Sequence, residues 1–246
     1  MNVCAVIPAR NEGRTIRAVA SSTREQVAHV IVIDDGSDDD TVCQLSGVDV
    51  TVLRRPQAGG KAAALADGFK QALSQDYKWI VTLDGDGQHD PKDISRLLEV
   101  CRQHPHHLIL GARLRHRHRQ PGIRKFANMF ADFWISWASG QRVPDSQTGF
   151  RVYPRELLES VQPSTNARQG FVYETAMLID GARSGFPCMA VAIDSVYLAD
   201  ARPSYFRPAR DVWEIFLFVA RRIITRGGYP QGLWRVMTQR SQDISE

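Results

Sequence analysis

The sequence predicts a single α/β domain built on a mainly parallel sheet, and three observations predict it. Short apolar, β-rich runs alternate with helical stretches through the first half of the chain, the order that gives parallel strands joined by crossovers. Two acidic clusters, Asp34-Asp35 and Asp84-Gly85-Asp86, directly follow such runs, and an open α/β sheet binds its ligands beyond the carboxyl ends of its strands. The 246 residues suffice for one large core, and no repeat, low-complexity tract or linker divides them.

Taken in order, Val3–Ala9 is a β-rich run, 15–22 opens a helix, and 30–33 is a second strand ending at Asp34-Asp35-Gly36-Ser37. Residues 48–53 form a third strand. Lys61–Leu73 is Ala-rich and helical, and 79–83 is a buried strand ending at Asp84. Residues 91–101 are a helix with Pro91 in its first turn and Asp93 nearby. Leu108–Ala112 is a further strand. In 126–138, Phe126, Met129, Phe130, Phe133, Trp134 and Trp137 recur on one helical face, with Asn128, Asp132 and Ser136 away from it. The stripe suits either a core-facing helix or a bilayer interface. Residues 212–224 are apolar on nearly all sides, with Arg207, Arg210, Arg221, Arg222 and Arg226 around them. The expected organisation is a catalytic part over 1–210 and an amphipathic helical tail over 211–246, within one domain.

Composition narrows the classes. Hydrophobic residues are 43% and charged residues 24%, ordinary for a folded soluble chain. A net charge of +4 is too mild to imply nucleic acid as a partner. The start, MNVCAVIPARNEG, lacks the head and apolar core of a signal peptide. No apolar run approaches the roughly 18 residues of a membrane span. Four well-separated cysteines, Cys4, Cys43, Cys101 and Cys188, point to a reducing compartment rather than a disulfide framework or zinc ribbon. No G-x-G-x-x-G follows the first strand, and Gly59-Gly60-Lys61 lacks P-loop spacing. The run from Asp84 has His89 where a calcium loop needs glycine, and no glutamate at its twelfth position.

Asp84 and Asp86 flank a glycine after an apolar strand. Two such carboxylates can share a hard divalent cation and bridge it to a diphosphate, with Gln88 adding a carbonyl oxygen. The alternative is a capping turn before Pro91. Asp34 and Asp35 can accept from a ribose hydroxyl or a base N–H, or cap the helix expected after Ser37.

The ordered stretches Val-Ile-Pro-Ala-Arg-Asn-Glu (6–12), Val-Ile-Asp-Asp-Gly-Ser-Asp-Asp (32–39), Gly-Lys-Ala-Ala-Ala-Leu (60–65) and Leu-Asp-Gly-Asp-Gly-Gln-His-Asp-Pro (83–91) resemble family 2 glycosyltransferases. The likeness is strongest to dolichyl- and polyprenyl-phosphate sugar transferases. Gly-Ala-Arg (111–113), Asp-Ser-Gln-Thr-Gly-Phe-Arg (145–151) and Gly-Phe-Val-Tyr-Glu (170–174) extend it over roughly residues 3–200. The resemblance implies a Rossmann-like glycosyltransferase-A domain, a nucleotide-sugar donor such as a UDP- or GDP-sugar, and Mg²⁺ or Mn²⁺. Position by position, Pro8, Ala9, Glu12, Asp35 and Asp34 would line the nucleoside pocket. Lys61 and Asp84 would face the donor, and Asp84, Asp86 and Gln88 would hold the metal. The family's Asp-Ala-Asp is Asp-Gly-Asp here, which keeps both carboxylates. Arg202 and Ser204 would close over the donor diphosphate.

Residues 102–125 hold six arginines, one lysine, five histidines and no acid. Such a stretch suits a phosphate-binding surface, a solvated basic loop, or a zinc site from His104, His106, His107, His116 and His118. Arg113 and Arg124 fall where the resembled transferases bind phosphate. The implied acceptor is a polyprenyl phosphate, attacked with inversion. It brings its own negative charge, so it needs cations more than a base. A lipid or saccharide hydroxyl would need a base, for which Asp145 and Glu174 are the candidates. A non-catalytic nucleotide- or membrane-binding module on the same fold is the other class. The resemblance and the arginine-flanked aromatic stripe place the protein on the inner, anionic face of a membrane, held peripherally.

Overall fold

The computed structural model describes residues 2–114, 122–161, 163, 170–194, 208–238 and 243–244. Strands β1 (Val3–Ala9), β2 (His29–Asp34), β3 (Thr51–Arg54) and β4 (Trp79–Thr82) alternate with helices α1 (Ile16–Arg24), α2 (Thr41–Gln44) and α3 (Lys61–Leu73). A 3₁₀ turn, Pro91–Asp93, leads into α4 (Ile94–Gln103), then β5 (Leu108–Ala112) and α5 (Gly122–Ser139). The second half adds β6 (Arg151–Pro154), α6 (Arg155–Ser160), α7 (Gly170–Arg183), β7 (Cys188–Ala192), α8 (Pro208–Ile224), α9 (Pro230–Thr238) and β8 (Asp243–Ile244).

These strands make one sheet in the order β3-β2-β1-β4-β6-β5-β7-β8. All neighbours are parallel except β6, which runs antiparallel to β4 and β5. Alternation along β1 shows how the sheet is covered on both sides. Val3, Ala5 and Ile7 point into a cluster with α1 and α4, while Cys4 and Val6 point into one with α3, α6, α7 and α8. Helix α3 lies close to the sheet because alanines and Gly68 face it, and a Cβ at Gly68 would collide with Val6.

The structure refines the sequence reading at several points. The third strand begins at Thr51 rather than 48, and α1 is shifted by one to two residues. Neither Asp34 nor Asp35 caps the short helix after Ser37. Asp39 Oδ1 accepts the Thr41 N–H there at 3.0 Å, while Asp34 Oδ1 accepts from Ser37 N–H at 3.2 Å. Helix α8 runs across position 210/211, where the sequence reading divides catalytic part from tail. The aromatic stripe of α5 divides: Phe126 (72% exposed), Met129, Phe130 and Phe133 are exposed, while Trp134 and Trp137 are half-buried against the core. Asp132 and Ser136 are buried. Trp134 and Trp137 stack on each other at 5.2 Å, and Trp134 meets Phe216 of α8 edge-on at 5.1 Å. Trp213 (58% exposed) and Leu217 continue the apolar surface along α8, with Trp234 and Met237 on α9. Among the described residues, no helix is long and apolar enough to cross a membrane.

Candidate active site

The carboxyl ends of β1, β2, β4 and β5 and the entry to β6 share one rim of the sheet, and the loops there are laced together. Pro8 and Ala9 pair in register with Ile33 and Asp34. Beyond them, Asn11 N–H donates to Ser37 Oγ at 2.9 Å and Glu12 N–H to Thr41 Oγ1 at 2.8 Å. Thr15 Oγ1 donates to Gly85 C=O at 2.6 Å, tying the first loop to the Asp84-Gly85-Asp86 turn. The nucleoside-pocket candidates Pro8, Ala9, Glu12, Asp34 and Asp35 therefore lie on one connected surface.

Asp35 is more engaged than its sequence position suggests. Its two oxygens accept from Gly59 N–H and Gly60 N–H, each at 2.8 Å, and Arg55 Nε is 3.1 Å away. Gly60 is held at φ 87°, a left-handed value that favours glycine. Asp35 thus fixes the loop that launches α3 and places Lys61 at that helix's first turn. Lys61 Nζ reaches Asp84 Oδ1 at 2.6 Å and Glu174 Oε2 at 3.3 Å. Burial alone would lower the Lys61 ammonium, but Asp84 and Glu174 outweigh it and raise it above its ordinary value. Reciprocally, burial would raise Asp84, and Lys61 and its other neighbours hold it below the usual carboxylate range. A Cβ at Gly149 would lie 2.5 Å from Asp84 Oδ2, so glycine is what lets the β6 entry approach this carboxylate.

Neither carboxylate of the turn serves as a cap. Asp90 caps the Pro91 turn, its Oδ1 accepting from Lys92 N–H at 3.0 Å. Asp86 Oδ1 accepts Gln88 N–H at 3.0 Å. Burial, and then the negative charge of Asp84, push the Asp86 carboxyl up from its ordinary value. A divalent cation would relieve that repulsion, and the donors are hard oxygens, so the residues fit Mg²⁺ or Mn²⁺. Among the described residues no group of three His, Cys, Asp or Glu could hold a metal alone. His89 is buried against Phe150, and burial pushes its imidazole down to about 4, leaving it neutral at physiological pH.

Arg113 follows β5 on the same rim. Its Nε and Nη2 grip Asp145 Oδ2 and Oδ1 at 2.9 and 2.7 Å, and its backbone N–H donates to Oδ2 at 2.8 Å. Burial would raise Asp145, but Arg113 outweighs it and holds the carboxyl below the usual range. This geometry makes Asp145 the anchor of Arg113 and a poor proton acceptor, which removes it as a base candidate. Glu174, 3% exposed, keeps Oε1 buried with no hydrogen-bond partner among the described residues. His104 and His107 meet edge-on at 5.1 Å, and the described residues alone form no metal cluster with them. His116, His118, Arg202 and Ser204 lie outside the described residues, as does the side chain of Arg124.

The sequence reading missed Asp132 and Arg151, both buried beside this rim. Several of their bonds go to backbone groups, which leave no mark in sequence. The available signal was the polar stripe Asn128, Asp132, Ser136 at intervals of four on an otherwise aromatic helix.

The family model described as Glycosyl transferase family 2 matches residues 4–162. Glycosyltransferase AglJ of Haloferax volcanii is 30% identical over 231 residues, spanning 91% of this chain and 72% of that protein. Polyprenol monophosphomannose synthase of Mycolicibacterium smegmatis is 28% identical over 203 residues, 76% of this chain and 75% of that one. Among solved structures, glucosyl-3-phosphoglycerate synthase from Mycobacterium tuberculosis, in complex with Mn²⁺, uridine diphosphate and glucosyl-3-phosphoglycerate, superposes with a TM-score of 0.66 at 22% identity. That match covers 93% of this chain and 80% of that one. The shared architecture is the glycosyltransferase-A fold.

Proposed function

Because the chain belongs to glycosyltransferase family 2, and is a glycosyltransferase, we propose that it moves a sugar from a nucleotide-diphosphate donor to a polyprenyl phosphate, with inversion. The observation that carries this reading is the exposed apolar surface of Phe126, Met129, Phe130 and Phe133 on α5, continued on α8, in the segment that follows β5 and Arg113. An enzyme for a water-soluble acceptor has no need of such a surface. The names of relatives that use polyprenol or undecaprenyl phosphate agree with it.

In this reading Pro8, Ala9, Glu12, Asp34 and Asp35 line the nucleoside pocket. Asp84, Asp86 and Gln88 hold Mg²⁺ or Mn²⁺, which when bound supplies positive charge to the leaving diphosphate. Lys61 keeps Asp84 ionised and in place. Arg202 and Ser204 serve the diphosphate. Arg113 and Arg124 receive the acceptor phosphate, which is largely dianionic at neutral pH because its second pKa is about 6. The attacking oxygen approaches the sugar opposite the departing diphosphate and needs no base. Residues 1–210 carry the catalytic parts, and 211–246 extend the lipid-facing surface.

The direct test supplies UDP- and GDP-sugars with Mn²⁺ and compares polyprenyl phosphate with polyprenol as acceptor. Transfer to the phosphate alone is expected, and transfer to polyprenol alone overturns the reading. A hydroxyl acceptor is the second reading, favoured by the unpartnered Oε1 of Glu174. Glu174→Gln separates the two. Under the phosphate reading it changes the rate little, whereas loss of a general base costs about 10²–10⁴.

The apolar surface is rimmed by exposed Arg221, Arg226 and Arg235, which suits the anionic inner face of a membrane. Vesicles containing anionic lipid are expected to carry the protein upward in flotation at low salt and to release it as salt rises. No association at low salt would remove the membrane from this reading.

A further inference from the structure

Helix α5 exposes apolar residues at its start and buries Asp132 (8% exposed) and Ser136 (4%) beside Ala131, Ile135 and Ala138 on its inner side. The inner residues serve a returning loop. From the far end of α5, residues 143–148 climb back along its polar side to the rim. Ser136 Oγ accepts from Val143 N–H at 2.9 Å, Asp132 Oδ2 from Asp145 N–H at 3.2 Å, and Asp132 Oδ1 from Ser146 N–H at 2.8 Å. The loop also meets Arg151, which is 1% exposed. Its Nη2 donates to Ser146 C=O at 2.9 Å and its Nε to Thr148 C=O at 2.8 Å. Its Nη1 donates to Glu174 C=O at 2.9 Å. Among the described residues, Arg151 meets these carbonyls and, at 3.5 Å, the Tyr153 hydroxyl, with no carboxylate at ion-pair distance.

We propose that Asp132 and Arg151 act together as positioning residues for the acceptor side of the reaction. The anion accepts from N–H groups of one loop and the cation donates to C=O groups of the same loop, so the two opposite charges hold one stretch of backbone between them. Between them Asp145 is held at φ 49°, a left-handed conformation that a non-glycine residue keeps only when its surroundings over-determine it. From that conformation both carboxylate oxygens meet Arg113. The clamp therefore sets where the Arg113 guanidinium stands, although neither Asp132 nor Arg151 lies in the substrate-binding set. The Arg151 bond to Glu174 C=O places the first turns of α7 by the same cation. This inference rests on the reading of Arg113 as the acceptor-phosphate residue.

The experiment compares Asp132→Asn, Arg151→Lys and the double variant of the full chain. It measures donor and acceptor KM, kcat, and calorimetric binding of farnesyl phosphate. Each single variant is expected to lose acceptor-side efficiency by about a hundredfold, the scale for a catalytic group misplaced by an ångström, with donor KM unchanged. The double variant is expected to fall no further than the worse single, because both residues hold one loop. Farnesyl phosphate binding weakens in parallel. A purely structural role would lower thermal stability and leave this donor–acceptor split absent. The clamp is overturned if folded variants transfer like wild type, if both KM values rise together, or if the double loss is the product of the singles. Should Arg151→Lys not fold, Thr148→Ala releases the same loop from Gly111 C=O and must show the same split. A wild type that neither binds nor uses a lipid phosphate overturns the acceptor reading and the clamp with it. A working wild type with indifferent variants overturns the clamp alone.

Discussion

Asp86→Ala is expected to fold like wild type and to transfer essentially no sugar. The side chain makes few stabilising contacts, its shown bond being to Gln88 N–H on the same turn. Its carboxyl is pushed up by burial and by Asp84, so deletion relieves repulsion and the melting temperature should hold or rise. Activity is another matter. Charge collects on the departing diphosphate, and Asp86 is the carboxylate of the pair that Lys61 does not hold. The loss is expected to be on the order of a thousandfold, the upper range for removing one preorganised charge-stabilising group. Chelation of wild type should match it. Thermal shift on adding Mn²⁺ gives a readout independent of turnover, present in wild type and absent in Asp86→Ala. Full activity of the variant, or of wild type in chelator, would end the metal assignment.

Arg113→Ala should be the second most damaging change, and it acts on two quantities at once. In the proposed reaction, removing this cation from the acceptor phosphate is expected to cost about 10²–10³ in kcat/KM for the acceptor. The same change leaves Asp145 buried without its partner, and breaking such a pair costs about 3–5 kcal/mol. Stability therefore has to be measured beside activity. The sign in pH follows from Asp145, whose folded carboxyl lies below its unfolded value because Arg113 overcomes the effect of burial. Its contribution is present above the unfolded pKa and lost as pH falls through the folded one. The stability gap between wild type and Arg113→Ala should be widest near neutrality and close in acid. Arg113→Lys keeps the charge without the fork, and should recover part of the stability and little of the acceptor efficiency. Wild-type transfer by a folded Arg113→Ala would leave the acceptor phosphate without its assigned partner.

The first half of the fold was legible because its signals are local. Lys61–Leu73 announces itself by alanine content, Leu108–Ala112 by an apolar run after a polar turn, and Asp84 and Asp86 by standing at a strand end. The second half hides for physical reasons. Strand β6 is four residues long and buried along its whole length, so it shows no alternation. Residues 172–179 of α7 are buried without a break, so no polar face marks the helix period. The stripe on α5 showed its period plainly, but a period does not say which side is wet. At the site, the strand-end acids could be found by position. The Lys61 bridge to Glu174 could not, because its members are far apart in sequence and meet only through folding.

The reversed direction of β6 has a consequence for how such a protein can diversify. The chain leaves the sheet at Ala112 and re-enters at Arg151, and both points lie on one rim because β6 runs against its neighbours. Everything between is a closed excursion that starts and finishes in the same place. Its length can change without moving any strand register, since each doubling of a flexible connection costs only about 0.6 kcal/mol of closure entropy. The excursion is thus a cassette that drift or recombination can exchange as a unit. The registers of β1, β2 and β4 are unaffected when it does, with the Gly149 approach to Asp84 the contact a replacement has to keep. One ancestral donor machine could be refitted for new acceptors by replacing a single segment.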